Sequence, residues 1–121
     1  MSRRDEARLG DIAGAIEAIR SHLARGSLDD GLVYDAVRIR LLEIGEAVKG
    51  IDPELLGAEP SVPWKEIARM RDHLAHRYFD TDHTIVRDVV DHDLDPLASA
   101  VHALFERAGD PGDAPAPSSD P

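Results

Sequence analysis

Residues 5–25 read DEARLGDIAGAIEAIRSHLAR, and the spacing of their apolar side chains decides the fold. Leu9, Ile12, Ile16, Ile19 and Leu23 recur at intervals of three and four, which places them on one face of an α-helix, and Gly26 offers a C-terminal stop. Outward from this segment a second stripe follows: Val33, Val37, Leu41, Ile44 and Val48, with a cap at Asp29 or Asp30 and an end near Gly50. Each helix has roughly 20 residues at ~1.5 Å rise, so the two match in length and pair as an antiparallel hairpin.

Pro53, Gly57, Pro60 and Pro63 then punctuate a connector that leaves room for one short helical turn at residues 53–56. Ser61 is a candidate cap for a third main helix over residues 63–78, whose stripe reads Trp64, Ile67, Arg71, Leu74 and Tyr78. After a polar turn at residues 80–82, Ile85, Val86, Val89 and Val90 start a fourth helix, which Pro96 is expected to break because it lacks an N–H and clashes with the preceding turn. Asp95 then caps a last segment that sends Leu97, Val101, Leu104 and Phe105 to the core. Period-two alternation is absent, so the expected class is all-α: an up-and-down four-helix bundle with a broken last helix. The helical domain spans residues 1–108; residues 109–121, rich in Pro, Ala, Ser and Asp, bury too little to offset the entropy of ordering and form a disordered tail.

A chain of 121 residues supports one hydrophobic core. Its apolar runs fall far short of the ~20 residues of a membrane span, and no secretory signal is readable, so the expected location is the cytoplasm. With no cysteine, thiolate metal sites and disulfides are excluded. The net charge of −10 argues against broad adhesion to nucleic acid, yet residues 64–78 hold Lys65, Arg69, Arg71 and Arg77 against only Glu66 and Asp72, a local basic site on an acidic body.

Arg71 is the anomaly of its stripe, because an arginine at a core position needs a rim, an anion or a carboxylate such as Glu43 or Glu46. Asp72 and His76 stand four apart, where a carboxylate can orient an imidazole; Tyr78 is two turns beyond Arg71. His76 follows Arg71 by five residues and is rotated from it by about 140° on an ideal helix. Either the helix loosens near its end or the cleft is assembled from two protomers about a two-fold axis; the second is favoured. His73, Asp80, Asp82 and His83 raise a metal hydrolase as a rival, but the Glu-x-x-His pairs of a di-iron bundle are missing, and neither metal nor cofactor is expected.

Leu41-Leu42-Glu43-Ile44-Gly45-Glu46-Ala47, Val62-Pro63-Trp64-Lys65-Glu66-Ile67 and the motif Arg71-Asp72-His73-Leu74-Ala75-His76-Arg77-Tyr78-Phe79 together resemble the HepT family of the HEPN superfamily, over residues 5 to 107. R-x4-H alone is a weak pattern; its company of an Ile-Gly-Glu-Ala helix and a Pro-Trp helix entry makes it specific. The resemblance implies a HEPN-like bundle acting as a dimeric, metal-independent endoribonuclease, the toxin of a toxin–antitoxin module. Its antitoxin would be an MntA-like nucleotidyltransferase that adenylylates the motif tyrosine, Tyr78. Carried over, Arg71 and His76 are the catalytic pair, Asp72 and Tyr78 auxiliary, with Gly45 allowing close helix approach and Glu46 a partner of Arg71. The alternative is a non-catalytic HEPN module that binds nucleotides or a protein partner.

Overall fold

The structure, a computed structural model, describes residues 1–76 and 79–109. Six α-helices, α1 Arg3–Leu23, α2 Gly31–Lys49, α3 Pro53–Leu56, α4 Trp64–Ala75, α5 Phe79–Asp88 and α6 Leu94–Gly109, and one π-helical turn, Val89–Asp93, make up the described fold. The class is all-α, and no strand occurs among the described residues. The tail expected after the bundle lies outside the described residues beyond Gly109.

Local chemistry sets the helix starts. Ser2 caps α1 by accepting from the Asp5 N–H at 3.0 Å, Asp30 caps α2 by accepting from Leu32 at 2.9 Å, and Asp52 caps α3 by accepting from Glu54 at 3.0 Å. Ser61 does not cap α4: the cap position is Pro63, which offers no side-chain acceptor, and the entry is held instead by the Trp64 indole N–H donating to the Glu59 carbonyl at 2.9 Å. The two long stripes bury as their spacing requires. Leu9, Ile12, Ile16 and Ile19 of α1 meet Val37, Leu41, Ile44 and Val48 of α2, and Ile67, Met70 and Leu74 of α4 and Leu97, Val101 and Leu104 of α6 complete the core. Helix α1 packs against α2 and α6, and α2 packs against α4, so α2 is the element on which α4 is positioned.

The interruption of the last helix differs from the expectation. The chain stays helical from Phe79 to Gly109, and the irregularity falls upstream of Pro96, as the π turn Val89–Asp93 in which the Leu94 N–H reaches the Val89 carbonyl. Pro96 cannot donate to the carbonyl four residues back, His92, and its ring would press on it; widening the helix around His92 relieves that conflict without ending the helix. Asp95 is therefore not a cap. It receives the Arg20 guanidinium at 2.7 Å and ties α6 to α1. Nor do residues 80–82 form a turn: they belong to α5, and Asp82 is buried.

Candidate active site

The site begins with a glycine. A Cβ placed on Gly45 of α2 would lie 2.5 Å from the Arg71 Cβ and 3.2 Å from the Ile67 carbonyl oxygen, so only a hydrogen at this position lets α2 and α4 touch. The contact fixes where Arg71 leaves α4 and brings its guanidinium beside the next residue of α2. Arg71 Nε pairs with Glu46 Oε2 at 2.9 Å and Nη1 reaches Asp72 Oδ1 at 3.5 Å. Glu43, the other acid within sequence reach, is taken by Arg40 at 3.0 Å. With 40% of its side chain exposed, Arg71 is at the rim of the core and not inside it.

Asp72 does a different job from the one its spacing suggested. Its carboxylate receives Lys49 Nζ at 2.7 Å and then Arg71, and the Lys49 hydrogen bond holds its pKa below the ordinary carboxylate value. It makes no bond to the imidazole. His76 instead closes α4 as its C-terminal cap residue, and its Nδ1 hydrogen-bonds to the Asp72 backbone carbonyl. A carbonyl only accepts, so in the neutral ring Nδ1 carries the proton and Nε2 the lone pair. The helix has loosened at this point: the His76 N–H bonds three residues back, to His73, at 3.3 Å.

Arg71 opens onto a groove of about 870 Å³ between α1 and α2, whose walls include Arg8, Arg40, Gly10, Gly14 and Ala47. Gly10 and Gly14 have open space where a Cβ would go, so this wall of α1 is low. Ala75 lines the same groove and His76 does not. The chain thus joins Arg71, Asp72, Glu46 and Lys49 in one network, while His76 is linked to it through the Asp72 backbone. Tyr78 and Arg77 lie outside the described residues. Among the described residues no group of three or more His, Asp or Glu side chains comes together as a metal site.

One pair escaped the sequence reading. Arg38 of α2 and Asp82 of α5 form an ion pair of 3.2 Å with side chains only 14% and 6% exposed. Arg38 also donates through Nη2 to the Leu74 carbonyl near the end of α4. The available signal was the i, i+4 series Tyr34, Arg38, Leu42, which places a cation beside the apolar stripe of α2.

These features define a class: an all-helical domain with an arginine held in an acidic clamp and, at the end of the same helix, an exposed histidine whose tautomer is set by backbone. A family model described as Ribonuclease HepT-like matches residues 12–104. The chain belongs to that HepT-like ribonuclease family. It is 39% identical over 108 residues to "Probable ribonuclease HepT" of Thermococcus cleftensis, covering 86% of this chain and 98% of that protein. It is also 49% identical over 53 residues to "Putative RNase MJ0127" of Methanocaldococcus jannaschii, covering 43% of this chain and 44% of the relative. A third relative, "Putative RNase TTE0752" of Caldanaerobacter subterraneus subsp. tengcongensis, is 39% identical over 70 residues, 57% of this chain and 62% of its own length. No solved structure matches the chain.

Proposed function

We propose that this protein is a cytoplasmic, metal-independent endoribonuclease that serves as the toxin of a HepT/MntA-type module. The observation that supports it most is the end of α4, where an anchored Arg71 and an exposed His76 with its lone pair on Nε2 stand five residues apart. RNA contributes its own nucleophile. His76 Nε2 takes the proton of the 2'-hydroxyl, the 2'-oxygen attacks phosphorus, and the 5'-oxygen departs, leaving a 2',3'-cyclic phosphate and a 5'-hydroxyl. Arg71, using the N–H groups not engaged by Glu46 and Asp72, donates to the phosphorane oxygens, where a planar guanidinium matches the developing charge.

Arg71 and His76 do not share the groove of one chain. A homodimer with α4 facing α4 about a two-fold axis brings the arginine of one protomer toward the histidine of the other. Tyr78 sits two residues after His76, and adenylylation of its hydroxyl by an MntA-like nucleotidyltransferase antitoxin would add bulk and negative charge beside the scissile phosphate, closing the site. The net charge of −10 favours a second reading, a HEPN domain that binds nucleotides or a protein partner without cleaving RNA.

Substitution separates the two. On purified, helical protein, Arg71→Ala should slow cleavage ~10²-fold or more and His76→Ala ~10²- to 10⁴-fold, both without loss of helix content. Variants that cut RNA as fast as the parent would transfer the assignment to the binding module.

A further inference from the structure

Helix α4 ends at Ala75 with His76 as its cap residue and α5 opens at Phe79, so the setting of His76 depends on how these two helix ends are held. One guanidinium holds both. Arg38 sends Nη2 to the Leu74 carbonyl, in the last turn of α4, and Nε to Asp82 Oδ2 at 3.2 Å, in the first turn of α5. Leu74 is two residues before His76, and its carbonyl is one of the terminal set that a helix leaves without an intrahelical partner.

The surroundings make this more than a surface tie. Asp82 is buried, as is Tyr34, one turn before Arg38 on α2. The Tyr34 ring stacks on His83 with centroids 3.9 Å apart and planes within 4°, fixing α5 laterally against α2. Burial, and then the charge of Asp82, push the Tyr34 hydroxyl pKa upward, which keeps this wall of the pair neutral and leaves Arg38 as the cation facing Asp82. A buried ion pair is a poor stabiliser compared with apolar side chains of similar volume, so its presence between two helix ends calls for another role.

We infer that Arg38 and Asp82 are positioning residues for His76. By clamping the Leu74 carbonyl and α5 together, they hold the last turn of α4 in the geometry in which the Asp72 carbonyl accepts from His76 Nδ1 and Nε2 faces outward as the base. The inference rests on the nuclease reading for its consequence in rate, but not for its consequence in imidazole chemistry.

The test is the double substitution Arg38→Met/Asp82→Leu in the full chain. It replaces the pair by apolar volume, which preserves folding where either single change would strand a charge. Helix content and thermal unfolding should stay near the parent's, KM for RNA should change little, and kcat should fall about 10²-fold, as expected for a base displaced by an ångström. The ¹⁵N shifts of the His76 ring, read by NMR, should move from the Nδ1–H tautomer toward a mixture of the two. Arg38→Lys gives an independent route if the double variant fails to fold: it retains the charge opposite Asp82 but lacks the fork needed to reach Leu74 at the same time, and the same two shifts are expected. An unchanged kcat, or a loss of kcat with the parent's tautomer intact, would overturn the inference. If His76→Ala itself cleaves RNA at the parent's rate, the nuclease reading falls, while the tautomer measurement still decides whether the clamp positions the ring.

Discussion

Gly45 and Gly14 are both glycines inside helices, yet substitution should act on them in opposite directions. At Gly14 nothing lies within 4 Å of a would-be Cβ, so Gly14→Ala should stabilise the fold by about 0.4–1 kcal/mol through the unfolded chain's reduced freedom. At Gly45 the same methyl meets Arg71 Cβ at 2.5 Å, between two packed backbones. Gly45→Ala should cost about 1–3 kcal/mol by overpacking, and cleavage should fall with it because α4 is pushed off α2. Urea unfolding of the two variants checks the pair; equal stability of Gly45→Ala and the parent would refute the close approach as the anchor of Arg71. Arg71 was legible as an anomaly because a cation at a core-stripe position demands a partner, and Glu46 is that partner. The Asp72–His76 expectation failed for a simple reason. Where a helix ends, the carbonyl four residues back is itself unpaired and lies nearer to the ring than the carboxylate, which Lys49 has already claimed.

At the scale of elements, the π turn places Asp93 in a half-buried position against α4. Burial is the largest cause of its raised pKa, with Glu66 and Asp88 adding to it and His92 opposing. A carboxyl whose folded pKa is raised is penalised in its ionised form. The penalty is absent below the unfolded value of about 3.9 and fully present once pH exceeds the folded value. Asp93→Asn should therefore raise the Tm at neutral pH, with the gain shrinking as the solution is acidified toward and below that range. A gain independent of pH would mean that the amide acts through some contact other than lost charge. Asp72 has the opposite sign: its lowered pKa adds stability above the ordinary carboxylate value and loses it as pH falls through the folded one. The break near Pro96 was legible in kind but not in form, since a proline's missing N–H predicts a disturbed turn and cannot specify whether the helix stops or widens.

For the whole molecule, the question is whether the proposed catalytic pair, Arg71 and His76, is drawn from one chain or two. A composite site makes a definite forecast for mixtures of inactive subunits. In a heterodimer of Arg71→Ala with His76→Ala, one of the two sites has lost both groups and the other retains an intact Arg71 and an intact His76 from opposite chains. Mixing and re-equilibrating the two inactive variants should restore a substantial fraction of parental cleavage, whereas a site housed in each chain would stay dead. Light scattering on the same samples should give the mass of a dimer.

The sequence by itself determined the all-helical class, the two long stripes that form the core hairpin, an acidic cap for α2 at Asp29 or Asp30, and the R-x4-H-x-Y segment, because these depend on periodicity and on contacts within a few residues. The folded structure alone decided that Ser2 caps α1 and Asp30 caps α2, that Lys49 takes Asp72 away from His76, that Asp82 is buried against Arg38, and that helicity continues past Pro96. The pairing of Asp72 with Lys49 is a competition between partners distant in the chain, and it is settled by how closely two helices approach, a distance that here turns on the absent side chain of Gly45.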